Sequence, residues 1–157
     1  RGAASGAAAG MTPARLASQW AGYRDRAEVL AFHAMAADTY HSFAASFEDP
    51  FTFEVPEELA AAGLLDRVDR QVHCETVEKA VVLCKAAVMG DARTYGRVAK
   101  ARMLSEVKTL GKSVRPFHPE TWDSVVCAAV YQAVLQRCQQ RPPVASLLVG
   151  VPAPVIV

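Results

Sequence analysis

The chain has 157 residues, 52% of them hydrophobic and 21% charged, which is typical of one globular domain with enough chain for its own core. The formal net charge is +1, so no global electrostatic field favours nucleic acid or an acidic substrate. No apolar run is long enough to span a membrane, and the four cysteines match neither a C-x-x-C pair nor a zinc spacing. Composition therefore predicts no metal, no cofactor and no membrane span. Cys84 and Cys127 lie in apolar runs, where we expect them to act as small buried hydrophobes.

The first 23 residues differ from the rest in composition. They begin RGAASGAAAG and contain no acid. Small residues bury too little apolar area to offset the entropy of ordering, so we expect an extended arm that packs on a partner protein or RNA. Arginines without acids are also typical of an organellar transit peptide or its processed stub, with an expression remnant as the alternative. We predict an arm over residues 1–23, a domain over 24–157 and a mitochondrial or other organellar location, the cytoplasm being the alternative.

Alternating runs predict short strands. Phe51 to Val55 and Arg67 to Cys74 both alternate, and Val155 begins a third apolar run. Between the first two, Pro56 and the acids after it predict a helix that Gly63 ends. The expected α+β fold has one small sheet, built from the Phe51, Val68 and Val155 segments and covered by helices that begin near Thr76, Asp91 and Pro119.

A carboxylate and an ammonium are spaced for one helix face after Thr76. Glu78 and Lys85 are seven residues apart, about two helical turns and roughly 10 Å of rise. Val81, Val82 and Met89 fall on the same face. Ionised groups beside an apolar stripe need partners or shift their pKa values, which predicts a cleft or a buried polar pocket. The alternative is that both charges lie at the rim of an amphipathic helix, with their stems snorkelling outward.

Further helix boundaries follow along the chain. Gly90 is expected to end the first helix, and Asp91 to cap the next. Ser105 is expected to cap a short helix that Leu110-Gly111 ends, and Pro119 suits the first turn of a longer one. The core face predicted for that longer helix consists of Trp122, Val125, Val126, Ala129, Val130, Ala133 and Val134.

A basic stripe lies on the helix that Asp91 caps. Arg93, Arg97 and Lys100 recur at the i, i+4 and i+7 positions, so they share one helix face. The stripe predicts contact with phosphate or RNA. An ordinary solvated face is the alternative.

Five motifs succeed one another in this part of the chain: Thr76-Val77-Glu78-Lys79, Lys85, Met89-Gly90-Asp91, Val107-Lys108-Thr109-Leu110-Gly111, and Phe117 through Trp122. Their order and spacing resemble the NADAR (YbiA-like) N-glycosidase family. In that family the motifs read T-x-E-H, a Lys seven residues after the Glu, F-G-D, A-K-x-L-G and F-x-x-x-x-W. The resemblance covers about Phe32 to Val157.

The resemblance implies cleavage of an N-glycosidic bond in a riboflavin-pathway intermediate or an ADP-ribosylated base. Such a transition state is oxocarbenium-like, and Glu78 would stabilise it or activate water. Lys85 would hold a phosphate or hydroxyl, or attack the sugar carbon in its neutral form. The substrate-binding residues that the resemblance implies are Ser42, Phe43, Asp91 and Trp122.

Departures from the family pattern bear on function. Ser42 stands where the family loop F-S-N-F has Asn, which removes an amide that could recognise a base or ribose, and Lys79 replaces the His after the Glu. The family's later D-x-x-W-G motif does not occur in the 157 residues, which predicts a wider pocket. His33 and His41 are expected to be structural. We therefore expect a non-catalytic structural or accessory subunit of a larger organellar assembly of proteins, the alternative being an active N-glycosidase.

Overall fold

A computed structural model describes residues 29–30, 41–150 and 155–156. They belong to two compact units, one containing the two outlying strands and the other residues 41–150. The predictions for the arm over residues 1–23 and for His33 lie outside the described residues. The predicted boundary between arm and domain stays a prediction.

The described strands form two separate pairs. Strand β1 (Val29–Leu30) pairs in parallel with β4 (Val155–Ile156), and strand β2 (Phe51–Glu54) pairs antiparallel with β3 (Gln71–Cys74). The prediction of one sheet was therefore wrong, because the Val155 segment pairs with β1 and not with the β2–β3 pair. Val68 lies outside the strands.

The β2–β3 pair has the alternation that the sequence predicts. Phe51 and Phe53 of β2 are buried, as are their neighbours Val72 and Cys74 in β3, while the residues between them face outward. One face of the pair thus joins the core. The helix predicted after Pro56 is only a short 3-10 helix, Glu57–Leu59, because the backbone at the next residue is already extended.

Five α-helices follow in residues 41–150: α1 (Val77–Val88), α2 (Ala92–Lys100), α3 (Leu104–Ser113), α4 (Pro119–Gln140) and α5 (Pro142–Val149). Several boundaries are the predicted ones. Gly90 follows α1 with a φ of 70°, a backbone conformation that glycine favours, and the Asp91 side chain caps α2 by accepting from the Thr94 amide at 2.9 Å. Pro119 is the first residue of α4. Together with the strand pairs, these helices confirm the α+β fold.

Helix α3 differs from its prediction at both ends. Met103 precedes it without a side-chain cap, so Ser105 lies inside the helix and does not cap it. Gly111 also lies inside α3, which continues to Ser113. The glycine was interpreted as a helix stop, but it is required for close packing against α1.

The core of residues 41–150 is centred on α1, which packs against α2, α3 and α4. Helix α4 also lies against β2. The largest side chains with almost no exposed surface are Phe53, Leu64, Leu83, Tyr95, Leu110 and several valines. No helix in the part of the chain that the structure describes is long and apolar enough to cross a membrane.

The predicted core face of α4 is only partly buried. Ala129 and Ala133 are fully buried, but Val130 is 40% exposed. Cys127, predicted to be a buried hydrophobe, is exposed. Cys84 is buried as predicted, and burial raises the pKa of its thiol to about 12.

Two glutamine side chains of α4 pair with the outer edge of β2. The Gln140 amide accepts from the Thr52 N–H at 2.9 Å and donates to the Thr52 carbonyl at 2.7 Å. The Gln136 amide makes the same two bonds with Glu54, both at 2.9 Å. The pair Gln136 and Gln140, which we call the glutamine clamp, thus supplies the hydrogen bonds that a further strand would make.

Candidate functional site

Helix α1 is buried on all sides except one narrow stripe. Seven of its twelve residues are buried. The partly exposed residues recur at the i, i+3, i+4, i+7 and i+10 positions of one helix face. We call this face the α1 stripe; it consists of Glu78, Val81, Val82, Lys85 and Val88. The most central helix of the fold therefore presents to its surroundings one face, which carries both residues of the predicted catalytic pair.

Lys85 lies at the end of the stripe nearer to the C-terminus of α1. Its Nζ donates to the carbonyl oxygen of Gly111 in α3 at 2.9 Å. The same Nζ lies 4.4 Å from the ring centre of Phe117 and 6.0 Å from that of Trp122, so the ammonium faces aromatic rings. Burial, and secondarily the positive charge of Arg115, lower the pKa of Lys85. No carboxylate among the described residues forms an ion pair with it.

Glu78 lies at the other end of the α1 stripe, and 29% of its side chain is exposed. Its Oε2 is 3.7 Å from the Nζ of Lys108 in α3, a long and exposed ion pair. The Glu78 backbone N–H donates to the Ala45 carbonyl at 2.9 Å, which fixes the start of α1 against the preceding loop. The carboxylate is thus accessible and only loosely paired.

Lys79, which stands where the family has a His, has a different environment. It is 2% exposed, and its Nζ donates to the Glu75 carboxylate at 2.9 Å and to the Ala101 carbonyl at 2.7 Å. Burial opposes the ionisation of Glu75, but the hydrogen bond and the charge of Lys79, together with a backbone hydrogen bond, lower the pKa of that carboxyl. Lys79 therefore joins the loop before α1 to the residue that follows α2.

Of the four residues predicted to bind substrate, Asp91 and Trp122 lie at the ends of α2 and α4. Both carboxylate oxygens of Asp91 are engaged, one by the Thr94 N–H and the other by the Arg115 N–H, each at 2.9 Å. Although burial opposes it, these bonds lower the pKa of Asp91. Trp122 is half-buried against the core near Lys85. The Trp122 ring is thus beside the site, whereas Asp91 holds backbone together.

The other two, Ser42 and Phe43, lie in the short 3-10 helix His41–Phe43. Both side chains are half-buried. This turn comes just before Ala45, whose carbonyl accepts from the Glu78 N–H, so the chain brings the turn close to the start of α1. Their contact with a substrate stays a prediction.

Glu78 and Lys85 do not line any of three well-formed cavities among the described residues. The largest of these three, about 700 Å³, lies between β3 and α2 and has Tyr95 and Lys100 in its wall. The Tyr95 hydroxyl donates to the Asp69 carbonyl at 2.9 Å. Among the residues that the structure describes, no group of three His, Cys, Asp or Glu could hold a metal ion.

Comparison with protein families shows to which family the chain belongs. The NADAR domain matches residues 31–157. The chain belongs to the NADAR family. Comparisons with curated proteins and with solved structures gave no match. The match includes α1, which carries Glu78 and Lys85.

The basic stripe of this NADAR domain lies on the surface of α2. Arg93, Arg97 and Lys100 are all exposed, in keeping with their i, i+4 and i+7 spacing. Contact with RNA or phosphate through these residues stays a prediction.

Three residues around the NADAR site were not identified from the sequence. Lys108 pairs with Glu78, Arg115 lowers the pKa of Lys85, and the carbonyl of Gly111 accepts from Lys85. Arg115 is exposed and carries no sequence signal of a site, and a backbone acceptor has no residue-type signal. The A-K-x-L-G motif was the one available indication of Lys108 and Gly111.

Proposed function

We propose that this NADAR domain is an N-glycosidase whose reacting groups are Glu78 and Lys85. The observation that carries the proposal is the α1 stripe: an otherwise buried helix leaves accessible the face on which these two side chains lie. Their separation along the helix axis is roughly 10 Å, and Gly111 of α3 packs on Val82 between them. A substrate must therefore reach the two groups from the side of the stripe that α3 does not cover. The family match supports the class of bond that is broken.

Glu78 carries the chemistry at the sugar carbon in this proposal. Cleavage of an N-glycosidic bond develops positive charge on the ring oxygen and anomeric carbon, and a nearby carboxylate stabilises that charge or activates the attacking water. Loose pairing with Lys108 leaves the Glu78 carboxylate accessible. The bond electrons leave with the base, and water supplies the hydroxyl of the released sugar.

Lys85 binds and orients the substrate. An ammonium has three N–H donors, and Gly111 engages one of them, so two remain for a phosphate or sugar hydroxyl. The lowered pKa also increases the neutral fraction, which is the form that could attack the sugar carbon. The substrate classes proposed are a riboflavin-pathway intermediate and an ADP-ribosylated base.

A non-catalytic role is the second candidate. Lys79 favours it, because the family's His position is here a buried lysine engaged by Glu75 and Ala101, which gives this side chain a role in folding. In this alternative the NADAR domain is a structural subunit of a larger organellar assembly, mitochondrial by the composition of residues 1–23. Fold alone does not distinguish the two candidates.

A base-release assay separates them. The purified chain is incubated with each substrate class, and the freed base is measured for wild type, Glu78→Gln and Lys85→Met. Glu106→Gln is the matched control, because it neutralises an exposed carboxylate on α3. We expect release by wild type and the control, and a loss of about 100-fold or more in Glu78→Gln. Equal background release by all four proteins would reject catalysis and favour the structural subunit.

A further inference from the structure

Gly111 lies where α3 comes closest to α1. A methyl group at this position would lie 3.1 Å and 3.3 Å from the two Cγ atoms of Val82, closer than carbon atoms normally pack. Val82 cannot readily turn away, because a β-branched side chain in a helix has one strongly preferred rotamer. The backbone angles of Gly111 do not require glycine, since its φ is not positive. Close approach of the two helices therefore accounts for this residue.

The approach places one particular group against Lys85. Gly111 is among the last four residues of α3, whose carbonyls have no N–H donor within the helix. The Leu110 carbonyl accepts from the Ser113 hydroxyl and the Lys112 carbonyl from Arg115, and Lys85 supplies the donor for the Gly111 carbonyl between them. A cation here also interacts favourably with the helix dipole.

We propose that Gly111 and Val82 are positioning residues for Lys85: the bare backbone of Gly111, packed on Val82, holds the α3 carbonyl against the Lys85 ammonium. The inference rests on the proposed function for its relevance to catalysis, but the contact and its effect on Lys85 can be tested without turnover. Contacts with both the Gly111 carbonyl and the Phe117 ring hold the ammonium on the α1 stripe.

Adding a side chain at Gly111 should move the carbonyl away. In Gly111→Ala the contact with Val82 must open by a few tenths of an ångström, and the 2.9 Å bond to Lys85 lengthens with it. That bond stabilises the charged lysine, so weakening it should lower the pKa of Lys85 further, by about 0.5 pH unit. Val82→Ala removes the two methyl groups, so Val82→Ala/Gly111→Ala should return the pKa of Lys85 to within about 0.2 pH unit of wild type.

The measurement is an NMR titration of the side-chain Cε of Lys85 in protein carrying 13C-lysine, with the signal assigned from Lys85→Arg. Gly96→Ala is the matched control, because this glycine lies inside α2 where a methyl group would meet nothing within 4 Å. It should leave the Lys85 titration unchanged. Val82→Ile adds a methyl group on the α1 side of the contact with Gly111. It replaces Gly111→Ala as the test variant if Gly111→Ala does not fold.

An unchanged Lys85 titration in Gly111→Ala, or in Val82→Ile where the first variant is unfolded, would overturn the proposal. So would a lowered pKa that Val82→Ala fails to restore, since the contact would then not be its cause. Absence of base release would reject the N-glycosidase, whereas the NMR titration would still report on the positioning contact, so the two failures are distinguishable.

Discussion

Two lysines six residues apart on α1 have opposite environments. Lys79 is almost fully buried and has a carboxylate of its own, Glu75, together with a carbonyl acceptor. Lys85 is partly exposed and is held by a carbonyl and an aromatic ring, with no carboxylate partner among the described residues. Lys79 stabilises the fold, whereas Lys85 keeps N–H donors for a ligand.

The difference shows how one helix can serve stability and chemistry at once. A buried ion pair is costly to break, because removing one partner leaves the other charge in a poorly solvated place. A lysine that is bound only by neutral groups gives up weaker interactions when a ligand binds to it than a lysine paired with a carboxylate. The lowered pKa of Lys85 shows that these neutral groups compensate its charge incompletely. Pairing, more than residue type, separates the structural lysine from the functional one.

The largest expected effect is on folding. Lys79→Met should lower the free energy of unfolding by about 3 kcal/mol, because Glu75 and the Ala101 carbonyl both lose their donor. Urea unfolding followed by circular dichroism measures the change. Lys112→Met, the same substitution at an exposed lysine, should alter stability by less than about 0.5 kcal/mol. A loss below about 1 kcal/mol in Lys79→Met would remove the contrast between the two lysines.

The second effect is a change in acid sensitivity. Folding lowers the pKa of Glu75 below its ordinary 4.5, so its contribution to stability is present above pH 4.5 and is lost as pH falls through the folded pKa. In Lys79→Met the lowering disappears while burial remains, which favours the protonated carboxyl. The stability difference between wild type and Lys79→Met should therefore narrow from pH 7 to pH 3. If the curves of unfolding free energy against pH are parallel for wild type and Lys79→Met, Lys79 does not affect the pKa of Glu75.

The smallest expected effect is that of Lys85 on stability. Lys85→Met loses a cation–π contact and a hydrogen bond but also removes a partly desolvated charge, so the unfolding free energy should change by no more than about 1 kcal/mol. The same urea experiment measures it beside Lys79→Met. A loss as large as that of Lys79→Met would mean that both lysines are structural.

Local features were predictable from the sequence because their causes are local. Each of these features depends on residues within a single helix. They are the Asp91 cap of α2, the first residue of α4, and the shared face of Glu78 and Lys85 on α1. The partner of the Val155 strand was predicted wrongly, because two paired residues carry no signal for which strand they join. The motif match, in turn, identified the family before any contact was known.

The misread features depend on contacts that are distant in sequence. The sequence around Gly111 predicts a helix stop, whereas in the structure this glycine allows close packing against Val82. Nothing in the sequence indicates that Lys79 is buried, because one of its acceptors, Ala101, is 22 residues away. Cys127 belongs to an apolar run, yet its side of α4 is exposed. Periodicity gives the faces of a helix, and only packing decides which faces are covered.

The glutamine clamp has a consequence for the order of folding. Strands β2 and β3 are separated by a short stretch of chain, so their pairing closes a small loop, whereas the clamp residues come 82 and 88 positions after the strand groups they bind. The strand pair can therefore form well before its outer edge is covered. During that interval Thr52 and Glu54 present unpaired backbone groups, which are a template for association with another chain. Docking of the last turns of α4 is thus the step that covers the outer edge of β2.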